Sequence, residues 1–189
     1  IAAGMPIIFT IRSRGQGGMV DISRVQHDSI RDLVAQSQLV DFIDIEIFDE
    51  NDTFDEYSLR SQIEEIHKYG CRAILSYHDF ERMLAPDEIV NLIRKMHELG
   101  ADVSKLAATA NSKEDAENLL KATALLTRNG IGPLVTIAMG EWGRSTRVAA
   151  GRYGSCITFA AGAAASAPGQ TDTFTMKKWL DDYYGPQQD

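Results

Sequence analysis

Ala73-Ile74-Leu75-Ser76-Tyr77-His78, a helical stretch opened by Pro86, and then Val103-Ser104-Lys105-Leu106-Ala107 form the part of the chain that decides the fold. The two flanking runs are short, apolar and β-type. Between them Ile89, Leu92, Ile93, Met96 and Leu99 recur at helical spacing, so the middle is an amphipathic helix. Proline suits a first helical turn, and Gly100 just past the last periodic residue is a stop signal. A strand, a helix and a strand in this order predict a parallel pair joined by a right-handed crossover.

The same unit recurs on both sides. Upstream, Pro6 to Ile11 is a strand, followed by a polar Gly-rich loop from Arg12 to Gly18. A helix from about Ile22 to Ser37 carries Val25, Ile30, Leu33 and Val34 inward. Phe42 to Phe48 is the next strand, and its helix, from about Asp55 to Tyr69, carries Leu59, Ile63 and Ile66. Downstream, Ser112 caps a helix running to about Arg128, with Asn129-Gly130 as the stop. Leu134 to Ala138 is a fifth strand. A Gly-broken loop and a short helix lead to a sixth, Cys156 to Ala160, and a last helix covers about Phe174 to Tyr184.

Six alternating units predict an α/β fold with a parallel sheet. It closes either as an open doubly wound sheet or as a (β/α)8 barrel. An open nucleotide-binding sheet needs a glycine fingerprint after its first strand, and Arg12-Ser13-Arg14-Gly15-Gln16-Gly17-Gly18 lacks that spacing. Polar residues gather at several strand ends, as in a TIM barrel, whose site collects from many strands at one face. A barrel takes about 250 residues. The 189 residues here therefore leave room for six units and not eight. The expectation is a single incomplete barrel domain over residues 1–189.

Composition narrows the function classes. Hydrophobic residues make up 44% and charged residues 24%, ordinary for a globular domain. No apolar run is long enough for a membrane span, and Ile1-Ala2-Ala3-Gly4-Met5 does not open a signal peptide. A net charge of -8 argues against a nucleic-acid partner, which wants a basic face. It leaves room for an anionic small molecule held by local arginines. Cys71 and Cys156 form neither a metal-ligand spacing nor a disulfide framework, so a reducing, cytoplasmic setting is expected.

Lys105 is the first candidate for chemistry. A lysine inside an apolar strand is costly to bury as a cation; burial lowers its pKa and frees a nucleophilic amine. On pattern alone, a strand-end lysine with its head in water is the more economical reading. His78 ends a strand, where an imidazole serves equally as a general acid/base or as a structural group. His27, His67 and His97 fall on helices among polar neighbours and read as solvent-facing. No histidine pair with a carboxylate has ligand spacing, so no metal is expected. Arg12 and Arg147, at or beyond strand ends, suit a bidentate grip on a carboxylate or a surface ion pair. Ser166 and Gln170, in a turn-prone loop, could bind hydroxyls or order the turn.

Taken together these segments resemble one family. Ile8-Phe9-Thr10-Ile11-Arg12-Ser13 with Gly17-Gly18, Ile43-Asp44-Ile45-Glu46, Ser76-Tyr77-His78-Asp79-Phe80 and Asp102-Val103-Ser104-Lys105-Leu106-Ala107 occur in the order found in type I 3-dehydroquinate dehydratases. Met139-Gly140, Gly143-Arg144-Ser145-Thr146-Arg147, Ser155-Cys156-Ile157-Thr158-Phe159 and Ala165-Ser166-Ala167-Pro168-Gly169-Gln170 continue the match. Each piece is weak alone; the histidine, lysine and Ser-Ala-Pro-Gly-Gln segments together are specific.

The resemblance implies a lyase of the shikimate pathway of aromatic amino-acid biosynthesis, dehydrating 3-dehydroquinate to 3-dehydroshikimate. Lys105 would form the Schiff base and His78 would move protons. Arg147 would hold the substrate carboxylate, with Arg12, Ser166 and Gln170 on carboxylate and hydroxyls. Glu46 would line the interior, and Met139 and Phe159 would wall the ring. No cofactor is implied; a homodimer is a weak expectation. Two departures stand out. Gln16 occupies the place of the acidic partner of the catalytic histidine, so it can orient His78 without charging it. The family's first two strands are absent, which makes this chain strands 3 to 8 of the barrel and points to a partial chain or to units supplied from elsewhere. Three rivals follow: another Schiff-base enzyme such as an aldolase, a binding or regulatory domain without turnover, and a fragment without its own fold.

Overall fold

A computed structural model describes residues 4–19, 22–49 and 53–185. Residues 1–3 of the stretch read for a leader lie outside it. Five strands, β1 (Ile8–Thr10), β2 (Phe42–Glu46), β3 (Arg72–Asp79), β4 (Val103–Thr109) and β5 (Leu134–Met139), follow one another in sheet order as they do in sequence. Helices α1 (Arg24–Ser37), α2 (Glu56–Lys68), α3 (Pro86–Glu98) and α4 (Lys113–Arg128) connect them. The short α5 (Thr146–Ala149) and the terminal α6 (Thr173–Tyr184) follow β5. The chain divides into two compact units, Ile1–Tyr77 with Arg94–Lys105, and His78–Ile93 with Leu106–Asp189.

In the first unit, β1–β2 and β2–β3 pair in parallel, with Thr10 beside Asp44 and Glu46 beside Ser76. Alternation along β2 puts Ile43, Ile45 and Ile47 on one face, all essentially buried, and Asp44 and Glu46 on the other. Leu59, Ile63 and Ile66 make the buried stripe of α2; truncating any one to alanine costs about 2–5 kcal/mol. Helix starts follow local chemistry. Ser23 and Gln26 form a reciprocal capping box on α1, and Asp55 accepts from Ser58 N on α2.

The α1 stripe differs from the sequence expectation. Val25 is 75% exposed and Leu33 66%, and Ile30 is also exposed; the buried positions are Arg31 and Ala35. Arg31 is tolerated because it is fully spent. Its guanidinium donates to Asp28, Asp32 and, at 2.6 Å, to Gln62 Oε1. The polar flank of α1 thus meets α2 through a hydrogen-bonded arginine, which leaves the apolar flank outside. His67 and His97 are exposed as expected, but His27 is half-buried, with Nε2 3.4 Å from Ile11 O.

In the second unit, Ser112 and Asp115 form the capping box of α4, and Leu119 and Leu126 are buried along it. The sixth strand expected from Cys156 to Ala160 is reduced to one bridge between Leu134 and Ser155. Cys156 N donates to Leu134 O, but Thr136 N donates to the Ser155 hydroxyl. A side chain has taken the donor that the next ladder rung needed, so pairing stops there.

Candidate active site

The first unit builds a buried charged cluster on consecutive strands. Lys105, from β4, is 6% exposed, and its Nζ donates to Asp44 Oδ2 at 2.8 Å. Arg12, just past β1, donates from Nη2 to Asp44 Oδ1 at 2.8 Å. From Nη1 it donates to Glu46 Oε1 at 3.0 Å and to Ser76 Oγ at 2.9 Å. Ser76, from β3, donates its hydroxyl to Asp44 Oδ1. Glu46 also accepts from Ser13 N. Two cations face two carboxylates, so the cluster is formally neutral, which is the condition for burying it at all.

The titration behaviour follows. Burial alone would push the Asp44 carboxyl up. The charges of Arg12 and Lys105, with hydrogen bonds from Lys105 and Ser76, overcome that and lower it to about 2. Lys105 moves down: loss of solvent is the largest cause, Asp44 opposes it, and Arg12 adds to it. Lys105 is therefore buried, against the solvated-head reading, and pairs with an anion that its strand pattern did not name.

Gln16 is buried on a 3-10 turn spanning Arg14–Gln16, and its Nε2 donates to Phe48 O at 3.4 Å. Arg12 is already engaged by protein carboxylates, so a ligand anion reaching it competes with Asp44 and Glu46.

The second unit carries the remaining candidates. His78 lies half-buried near the end of β3, and Asp79 beside it accepts from Glu81 N and Arg82 N. Met139 ends β5, fully buried, and Phe159 is half-buried. Arg147, on α5, is 4% exposed. Its Nη2 donates to Pro168 O at 3.0 Å while its Nε is buried with no acceptor among the described residues. Burial lowers its pKa. It lines a cleft of about 230 Å³ with Thr158, whose Oγ1 is also unpartnered. Such donors ask for an acceptor. Ser166 is exposed and closes its own loop: its N and Oγ both donate to Gln170 Oε1. Gly169, at φ +73°, brings this loop so near Gly140 that a Cβ would lie 2.6 Å from Gly140 O.

Asp44 and Ser76 were not singled out from sequence. The available signal was two acids at alternate positions in an isoleucine-rich strand, which places both carboxylates on one face. Among the described residues, no group of three or more His, Cys, Asp or Glu could hold a metal ion, and no helix is long and apolar enough to cross a membrane.

The fold and the site define a class: parallel α/β proteins with a desolvated lysine on a strand, beside a carboxylate. Comparison with known proteins narrows it. The sequence profile of type I 3-dehydroquinase matches residues 1–185. The 3-dehydroquinate dehydratase of Klebsiella pneumoniae is 35% identical over 178 residues, 94% of this chain and 69% of that protein. That of Bacillus licheniformis is 38% identical over 176 residues, 93% and 67% respectively. The crystal structure of 3-dehydroquinate dehydratase from Geobacillus kaustophilus superposes with a TM-score of 0.89 at 28% identity, over 99% of this chain and 71% of that one. The type I enzyme of Clostridium difficile, solved with covalently modified comenic acid, gives 0.87 at 31% identity, over 96% and 70%. The chain belongs to the type I 3-dehydroquinase family. Its fold is the α/β, TIM-barrel fold of that family, of which it spans about seven-tenths.

Proposed function

We propose that this chain is a 3-dehydroquinate dehydratase working through a Schiff base on Lys105. The observation that carries the reading is a lysine buried on a strand, with its pKa lowered by loss of solvent, in a chain of this family. The neutral amine attacks the ring ketone and, with uptake of one proton, water leaves, giving an iminium. That cation withdraws electrons, so the adjacent C–H is acidic. His78 removes the proton; the resulting enamine expels the neighbouring hydroxyl, which takes a proton from His78. Water then hydrolyses the product iminium, releasing 3-dehydroshikimate and restoring Lys105.

Arg147 holds the substrate carboxylate, supported by its buried Nε without an acceptor. Arg12, Ser166 and Gln170 hold hydroxyls and carboxylate, Glu46 fixes Arg12, Met139 and Phe159 wall the ring, and Gln16 orients His78. The chain corresponds to strands 3 to 8 of the family's barrel, in one domain, with the last of these strands reduced to a bridge. The enzyme serves the shikimate pathway in the cytoplasm, as a homodimer.

Incubation with 3-dehydroquinate, followed by ultraviolet absorbance of the conjugated product, tests this together with borohydride trapping and mass spectrometry. Product plus a reduced adduct on Lys105 is expected. A folded chain giving neither would refute the reading, and an adduct without product would leave a binding domain.

A further inference from the structure

The carboxylate of Asp44 has no part in the reaction as set out above, yet it touches the atom that reacts. We infer that Asp44 is a catalytic residue, the fixed counter-anion of the Lys105 nitrogen in both its ammonium and its iminium forms, and that Ser76 is a positioning residue that aims it. This rests on the reading of Lys105 as the nucleophile.

Asp44 is 2% exposed and Ser76 is fully buried. The two carboxylate oxygens divide the work: Oδ2 accepts from Lys105 Nζ, while Oδ1 accepts from Arg12 Nη2 and Ser76 Oγ. Oδ1 is therefore pinned by two donors, and the carboxylate cannot turn away from Nζ without breaking both. Ser76 is pinned in turn, since its Oγ accepts from Arg12 Nη1. The result is an anion fixed by its donors and aimed at one nitrogen, both of them buried.

The proton balance shows why a fixed anion suits this nitrogen. An ammonium and a ketone give an iminium and water, so the nitrogen begins and ends with one positive charge. Between these states a proton leaves the ammonium. The amine lone pair forms the C–N bond, and the carbonyl π pair goes to oxygen, which is protonated. A second proton, the counterpart of the two that the nitrogen gives up in all, lets that oxygen leave the carbinolamine as water, and the nitrogen lone pair forms C=N. The iminium retains one N–H, and Oδ2 is placed to accept it. Asp44 itself is too acidic to carry the proton. Its cationic neighbours hold its carboxyl well below the usual carboxylate range, so it stays ionised at neutral pH. Its contribution is electrostatic: it stabilises a charge that would otherwise be buried unpaired.

The test uses the full chain with 3-dehydroquinate and borohydride, reading Lys105 adduct by mass spectrometry across pH alongside turnover. Asp44→Asn keeps the shape and removes the charge, so the amine loses its partner and deprotonates more readily. The expected result is a pH midpoint for adduct formation lower by about one unit or more, with turnover down at least about tenfold. Asp44→Glu is expected to restore the midpoint in part. An unmoved midpoint in Asp44→Asn, with wild-type turnover, overturns the inference. If Asp44→Asn does not fold, Ser76→Ala carries the test. Freeing Oδ1 should move the midpoint the same way by a smaller amount, and an unmoved midpoint there overturns the inference equally. Absence of adduct in the wild type refutes the Lys105 reading itself, a separate failure.

Discussion

Replacing Asp44 by asparagine should cost stability in a way that depends on pH, and the structure sets the size. The carboxyl is lowered from 3.8 to about 2 in the folded state. The difference, about 1.8 units at about 1.4 kcal/mol per unit, makes the ionised carboxylate worth about 2–3 kcal/mol to the fold. A group whose folded pKa is depressed gives that stability above its unfolded value, here above about pH 4. It loses it as pH falls through about 2, because the unfolded chain binds the proton first. At pH 3 about half remains. Asp44→Asn should therefore cost about 3–5 kcal/mol near pH 6, where it leaves Lys105 and Arg12 buried with too little negative charge. The gap to wild type should narrow by about 1 kcal/mol at pH 3. Urea unfolding of both proteins at pH 6, 4 and 3, by circular dichroism, measures it. A gap that stays constant with pH would refute the claim that the Asp44 charge, rather than its shape, holds the cluster.

Three further outcomes follow from the same geometry. His78→Ala should reduce turnover by about 10²–10⁴-fold while the borohydride-trapped adduct on Lys105 persists, which separates proton transfer from covalent capture. Arg147→Lys should raise KM for 3-dehydroquinate with little recovery over Arg147→Ala, because a point charge cannot replace a planar donor already committed through Nη2 to Pro168 O; steady-state kinetics of both variants decide. Gln16→Glu should move the acid limb of the pH–rate profile for kcat/KM upward by about one unit, since a carboxylate favours imidazolium where an amide does not; an unmoved limb would remove Gln16 from the proton pathway.

Legibility in the sequence was uneven, for physical reasons. Helices α3 and α4 were readable because their signals are local: Ser112 and Asp115 cap α4, and Pro86 opens α3. The α1 stripe was misread because periodicity finds an apolar face without telling which face is covered. There the network of Arg31 with Asp28, Asp32 and Gln62 outweighed Val25 and Leu33. The sixth strand was misread because the competitor for its ladder was a side chain, Ser155, which strand propensity does not count. At the site, the chain's alternation made Lys105 and His78 visible as strand-end polar groups. Asp44 stayed hidden because its significance is the company it keeps.

The sequence by itself determined the class of fold, the order of its strands and helices, and the residue types able to do chemistry. Each of these depends on spacing along one strand or helix, or on short motifs that a single segment carries whole. Tertiary structure alone decided that Lys105 is buried and not solvated, that its amine donates to Asp44, and that Arg12 is held between two carboxylates. Those facts join positions 32 to 61 residues apart. Their electrostatics depend on distances of about 3 Å inside a medium that screens poorly, which only parallel pairing of separate strands can set.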